Sequence, residues 1–396
     1  MKTLTQPRKG LRLVKPELGG ESSHFGTTLI LSGKDGDLFE HTLTAGQSLT
    51  LSPATSVAEV VYLLEGNFSL AGQQLNQQLL SSNELAKVSQ LKAKNTAKLL
   101  HFSAPAGAQV SSETLHFDSG SLKLLYSSGS TELSLMTLKN NMRFFIVPNE
   151  TPDQPMSEVY YLLGGELSFQ GGTVLSGGDY IVAEGLEEPV AFHGLSDVTM
   201  LYFSSQPNFK DVGQDADELM HLADTIEQKD GYTANHCKRI QDFSLKTAEA
   251  MGLSHDRLYL LNYGAYLHDV GKASLPEGML QKPGKLTSEE WVIMKQHPTM
   301  GRELLENSFL HEVGTIVEQH HERLDGSGYP KGLKGLEISL EAYIIAVADT
   351  FDAITTDRPY RAALPISHAL SELRKYADQH YPREVVEAFI TANGLE

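Results

Sequence analysis

Seven side chains in the second half of the chain are of the types that bind hard divalent metals: His236, His268, Asp269, His297, His320, His321 and Asp349. Imidazole and carboxylate together suit iron, manganese or zinc, and a bound ion of this kind acidifies water and polarises phosphoryl oxygens. A His-Asp dipeptide alone is weak evidence. Its position on a helical period is stronger. His268 follows Leu258, Leu261 and Ala265 at steps of three, four and three, which places it on a buried face. His236 heads the stripe Ile240, Phe243 and Thr247, His320 follows Val313 and Ile316, and Asp349 follows Ala342 and Ile345. Such groups rarely enter a core unless they are paired or bound to metal, so several helices sending them inward predict a metal centre.

The elements that must position these residues are also legible. Thr287-Ser288-Glu289-Glu290 fits a capping box and starts a helix carrying Trp291 and Met294. His297-Pro298 breaks that helix, which sets His297 at a helix junction. Directly after His320-His321-Glu322, the run Asp325-Gly326-Ser327-Gly328-Tyr329-Pro330 predicts a tight loop beside the histidine pair. From about Asp215 onward apolar residues recur at spacings of three and four, the helical period. Before about residue 205 the pattern is short β-rich runs such as EVVYLLEGNFSL and EVYYLLGGELSF, and SSQPNFKDVG at 204–213 reads as a linker.

Taken in order, His268-Asp269-Val270-Gly271-Lys272, Lys282-Pro283-Gly284, His297-Pro298, His320-His321-Glu322 with the loop to Pro330, and Val347-Ala348-Asp349 with Phe351-Asp352-Ala353 resemble the HD-GYP branch of the HD phosphohydrolases. The resemblance covers about 216–396. It implies an all-α HD-domain metallohydrolase with a two-metal site that hydrolyses cyclic di-GMP to linear pGpG, in some members onward to GMP. Related members act on other cyclic dinucleotides. Carried over, it makes His236, His268, Asp269, His297, His320, His321 and Asp349 the metal ligands, with Asp269 bridging. Asp269 and Lys272 become the catalytic residues, and Lys272, Arg358 and Arg361 the contacts to substrate phosphates. Members with a third metal carry a glutamate four residues before the first histidine. Tyr232 stands there in this chain, so two ions are expected, iron or manganese before zinc. For Asp325, Gly326, Gly328, Tyr329 and Pro330 three roles stay open: a structural turn, a lip over the site, or a docking surface for a diguanylate cyclase (GGDEF) partner.

The first half contains a repeat. Glu59-Val60-Val61-Tyr62-Leu63-Leu64-Glu65-Gly66 aligns with Glu158-Val159-Tyr160-Tyr161-Leu162-Leu163-Gly164-Gly165, and Leu100-His101-Phe102-Ser103 echoes Leu201-Tyr202-Phe203-Ser204. The phrase resembles a cupin barrel, so this half looks like a bicupin. The His-x-His pair of metal-binding cupins is absent from 55–59 and 154–158, which leaves Glu59 and Glu158 as structural residues and the barrels as a sensory or dimerising region. Tyr62, Tyr161 and Tyr202 could line a barrel mouth that holds a small ligand, but aromatic residues on strands more often belong to the core.

The expected class is therefore multidomain, β plus all-α: a duplicated cupin-like β-barrel half at 1–110 and 111–205, then the HD domain at 206–396. A net charge of −18 argues against DNA or RNA as partner, since nucleic-acid binders cluster Lys and Arg. Nothing approaches the apolar length of a membrane span, the first residues hold no apolar core segment or cleavage site, so a secretory signal is not expected there, and one cysteine, Cys237, agrees with a cytoplasmic protein. Homodimerisation is open. The alternative reading is a cyclic-dinucleotide-responsive signalling or scaffold protein with little hydrolysis.

Overall fold

Alternating aromatic and β-branched runs in the first half pair as antiparallel strands, as a side-chain period of two demands. The computed structural model describes residues 2–3, 9–15, 26–33, 36–51, 57–71, 73–75, 79–80, 85, 90–105, 113–117, 119–127, 131–148, 156–169, 172–206, 209–230, 235–282, 284–308, 310–357 and 362–396. It divides into two units, Met1–Gly213 and Gln214–Glu396.

In the first unit each repeat has a larger sheet and a four-stranded sheet with an apolar core between them. The two signature phrases form the strands Val57–Glu65 and Ser157–Gly164. They pair with Ala97–Pro105 and Val198–Ser204 in equivalent register: Val61 lies opposite His101, and Tyr160 opposite Tyr202. Among the described residues, 60–64 and Ser157–Gly164 present no exposed side chain. Val61 and Leu63 point into the first repeat's core, Tyr160 and Leu162 into the second's, while Val60, Val159 and Tyr161 join a third cluster between the larger sheets. Burial on both faces explains why the phrase is continuously apolar, and each fully buried aliphatic residue contributes about 2 kcal/mol.

Two expectations need correction, and one is borne out. Residues 1–110 do not form a self-contained repeat, because the strand Leu11–Lys15 pairs with Tyr180–Glu184 and buries Leu11 and Leu13 in the second repeat's core. Tyr62, Tyr161 and Tyr202 belong to cores, as is usual for strand aromatics, and do not line one mouth. Tyr161 is buried between the larger sheets with Tyr62 against it, and Tyr202 lies inside the second repeat, because facing positions alternate along paired strands. The segment 204–213 is not a free linker either. A helix starts at Phe209, whose ring is buried in the second repeat's core and whose N–H donates to Glu132 (2.7 Å).

The second unit is helical. In order come α1 (Phe209–Lys229, begun in the first unit), α2 (His236–Ala250), α3 (His255–Leu267), a 3₁₀ turn (Val270–Ser274), α4 (Ser288–Met294), α5 (His297–Leu305), α6 (Val313–Gln319), α7 (Leu340–Thr355), α8 (Ile366–Lys375) and α9 (Arg383–Ala392). The capping box at Thr287 and Glu290 is present, and Pro298 stands in the first turn of α5, where its missing N–H costs nothing. α7 is buried from Glu341 to Ala348 and acts as the central helix. Edge-to-face contacts among Phe243, Phe351 and Phe389 tie α2, α7 and α9 together.

Candidate metal centre

The expected ligands occupy helix ends rather than helix middles. His236 begins α2, His268 and Asp269 follow the last residue of α3, His297 begins α5, and His320 and His321 follow α6. Asp349 alone projects from a helix interior, that of α7. The last turn of a helix leaves carbonyls without partners. His268 donates from Nδ1 to the carbonyl of Ala265 (2.8 Å), His297 to that of Met294 (2.8 Å) and His320 to that of Val317 (2.6 Å). Each histidine thus closes the helix before it, and that bond fixes its ring. His236 is held differently, with Nδ1 2.7 Å from Oδ2 of Asp352, a carboxylate that Arg239 grips through Nε and Nη2.

With Nδ1 as donor, a neutral imidazole keeps its lone pair on Nε2. The Nε2 atoms of His268, His297 and His320 are buried and make no hydrogen bond of proper geometry, nor do Oδ1 of Asp269 and Oδ1 of Asp349. Each such group would cost about 1–3 kcal/mol if nothing met it, so their convergence on one place fits a cation. The donors form two groups whose ligand atoms lie within 4.8 Å of one another, Asp269–His297–His320–His321 and His236–His268–Asp269. Asp269 belongs to both: Oδ1 is 3.2 Å from His297 Nε2, and Oδ2 is 3.3 Å from His268 Nε2. Asp349 lies outside both groups, 3.8 Å from His236 Nε2.

Lys272 is not an exposed lysine at a helix end. It is 7% exposed in the 3₁₀ turn, and its Nζ donates to Asp269 (2.7 Å) and Asp230 (2.6 Å). Burial alone would raise the Asp269 carboxyl, but Lys272 and His268 outweigh it and hold Asp269 well below the usual range. For His268 burial works against the charged ring, Asp269 overrides it, and the pKa rises to about 9. His320 and His321 go the other way, lowered by burial and by neighbouring imidazoles. Negative charge gathers on Asp269, and His320 and His321 are held neutral; a metal that takes the Nε2 of His268 displaces the proton that Asp269 holds there.

The loop after the histidine pair lies against the centre. The Tyr329 ring is 4.7 Å from that of His321, and Asp325 accepts the Ser327 N–H (2.9 Å). Gly328 passes so close to Glu322 that a β-carbon would sit 2.5 Å from its backbone. Gly326 takes a left-handed φ, and Pro330 follows Tyr329 at the loop's end. Tyr232, Arg358 and Arg361 lie outside the described residues.

The supporting roles of three groups were not read from the sequence, although two of them, Asp352 and Glu322, stand within its motifs. Asp352 stands three residues after Asp349 on the same face of α7, a spacing that could have pointed to it. Glu322 is buried and accepts the backbone N–H groups of Lys331, Gly332 and Leu333, which anchors the loop. Glu227 has no local signal, because its partners His236 and Cys237 lie on another helix.

Residues 220–385, all within the helical unit, match the family model described as HD domain. Two relatives narrow the likeness. Over 180 residues the chain is 41% identical to the cyclic di-GMP phosphodiesterase response regulator RpfG of Xanthomonas campestris pv. campestris (strain 8004), across 45% of this chain and 48% of that protein. Over 177 residues it is 44% identical to a cyclic di-GMP phosphodiesterase of Thermotoga maritima, across 44% of this chain and 48% of that one. The chain therefore spans about half the length of these curated relatives. A cupin 2 conserved barrel domain protein from Leptotrichia buccalis aligns with 48% of this chain and 92% of its own, at 12% identity and a TM-score of 0.34. Among the described residues no helix is long and apolar enough to cross a membrane.

Proposed function

We propose that this protein is a metal-dependent phosphodiesterase that hydrolyses cyclic di-GMP to linear pGpG. The observation that carries the reading is the convergence of the Nε2 atoms of His268, His297 and His320 on Asp269, each ring oriented by a bond from its Nδ1. The two relatives named as cyclic di-GMP phosphodiesterases support the substrate class.

Two first-row divalent ions suit the donor set, iron or manganese before zinc. His236, His268, Asp269 and Asp349 would hold one, and Asp269, His297, His320 and His321 the other, with Asp269 shared. When bound, the ions supply activated water and neutralise charge building on the phosphoryl oxygens. The chain's own residues do the positioning. Carbonyls at the ends of α3, α4 and α6 lock three imidazoles in one tautomer, and Asp352 locks the fourth. Lys272 keeps Asp269 ionised and brings positive charge toward a substrate phosphate, and Arg358 and Arg361 are assigned to the phosphates as well. We assign the β half a sensory or dimerising role.

The test is to incubate metal-loaded protein separately with cyclic di-GMP and 3′3′-cGAMP and resolve cyclic from linear products by chromatography. Linear pGpG, formed faster than product from the mixed dinucleotide, is the expected result. Faster cleavage of 3′3′-cGAMP would correct the base preference. Protein that holds its metals and cleaves neither would overturn the hydrolytic reading.

A further inference from the structure

The helix that carries His236 starts without a cap of its own. Asn235 stands at the N-cap position of α2, but its φ of 71° is left-handed and its side chain makes no capping bond. The first N–H groups of any helix need partners from elsewhere. Here they come from α1, where the carboxylate of Glu227 accepts the His236 N–H through Oε1 and the Cys237 N–H through Oε2, both at 3.1 Å. Glu227 is 9% exposed, and with His236, Cys237 and Asp269 it lines one small cavity.

Carboxylates on α1 and just past its end hold two other elements of the centre. Asp224, three residues before Glu227, accepts the Tyr266 hydroxyl (2.6 Å) two positions before His268. Asp230, three residues after and just past the last residue of α1, accepts from Lys272. α1 contributes no ligand, yet an acidic stripe at steps of three grips α3, α2 and the 3₁₀ turn in succession. Of these contacts, that of Glu227 reaches a ligand residue's own backbone.

We propose that Glu227 is a positioning residue of the metal centre: by fixing the backbone of His236 and Cys237 it sets where the His236 ring stands, and so how tightly the His236–His268–Asp269 side holds its ion. The proposal rests on the metal-centre reading above. The bidentate geometry makes it specific to two acceptor oxygens. A glutamine of the same size would keep one acceptor and turn an NH₂ donor toward a backbone N–H.

The experiment uses metal-stripped full-length protein titrated with Mn²⁺, with hydrogen exchange at the His236 and Cys237 amides as a second readout taken without metal. In Glu227→Gln one ion should bind about 10–100-fold more weakly, the other as in wild type, and both amides should exchange faster. Glu227→Asp keeps both acceptors one methylene short, so an intermediate affinity is expected, and this variant serves if the glutamine protein does not fold. Variants that fold, even with lowered thermal stability, but keep wild-type affinities for both ions would overturn the proposal. Wild-type protein that takes up no Mn²⁺ would overturn the metal-centre reading and this proposal with it.

Discussion

Asp352 accepts the Nδ1–H of His236 across 2.7 Å while Arg239 holds both of its oxygens, so a carboxylate with no place among the ligands decides which way a ligand faces. The three groups form a chain from Arg239 to the metal centre, with Asp352 fully buried at its middle. Asp352→Ala should leave the fold intact yet lower metal affinity and turnover by about 10–100-fold. Metal content after dialysis, beside a circular dichroism spectrum, checks it. Full metal retention would show that Arg239 or the helix backbone suffices to orient His236.

Asp269 serves both donor groups, and its loss should do more than the loss of an outer partner. Asp269→Ala in a folded protein is expected to reduce turnover by more than the roughly 100-fold that marks such partners, and a chelator should do the same to wild type. Wild type should carry about two ions, because a phenol at position 232 is a poor substitute for a carboxylate at neutral pH. Elemental analysis giving close to three ions would show that another residue completes a third site.

Gly271 lies where the 3₁₀ turn after Asp269 passes the start of α5. A β-carbon there would stand 2.0 Å from the His297 carbonyl oxygen and 2.3 Å from the Gly301 nitrogen, both backbone atoms that cannot swing aside. Gly271→Ala should therefore cost at least about 1–3 kcal/mol and push His297 away from Asp269, lowering both thermal midpoint and metal content. A variant with wild-type stability and metal content would mean that the two segments part without consequence.

Glu158, buried inside the second β repeat, accepts the hydroxyls of Tyr160 (2.9 Å) and Tyr202 (2.5 Å). Burial raises its carboxyl to about 7 from an ordinary 4.5, with the two hydroxyls opposing only part of the rise. In that window the folded protein keeps a proton the unfolded chain has released. The contribution is thus most favourable below pH 4.5 and is lost as pH rises to about 7, a change on the order of 3 kcal/mol. His41 has the opposite sign. Lowered from 6.5 to about 4 by burial and by His101, it contributes stability above pH 6.5 that disappears as pH falls toward 4. The two slopes overlap, so the informative quantity is the difference in unfolding midpoint between wild type and Glu158→Gln. It should shift against wild type as pH rises from 5 to 8, and a difference independent of pH would show that Glu158 is ionised throughout.

Much of the centre was legible because helical period and local chemistry act over a few residues. His268 on the buried face of its helix, the capping box at Thr287, the break before His297 and the tight turn at Gly328 each follow from neighbours within four or five positions, whereas the expected ligand set came from the resemblance of several motifs taken in order. The repeat was legible too, since equal phrases pair with equal register. What tertiary structure decided involves partners far apart in the chain. The strand Leu11–Lys15 could have joined either repeat, and its apolar alternation is the same in both cases; the second repeat's unfilled edge and core took it. Tyr161 and Tyr202 went to different cores because they occupy facing positions of opposite strand parity, and no composition reports which side is closed. Lys272 spans 42 positions to reach Asp230, and Asp352 spans 116 to reach His236. A buried charge must find its counter-charge wherever the packed helices bring one, so those pairs exist only once the fold has closed.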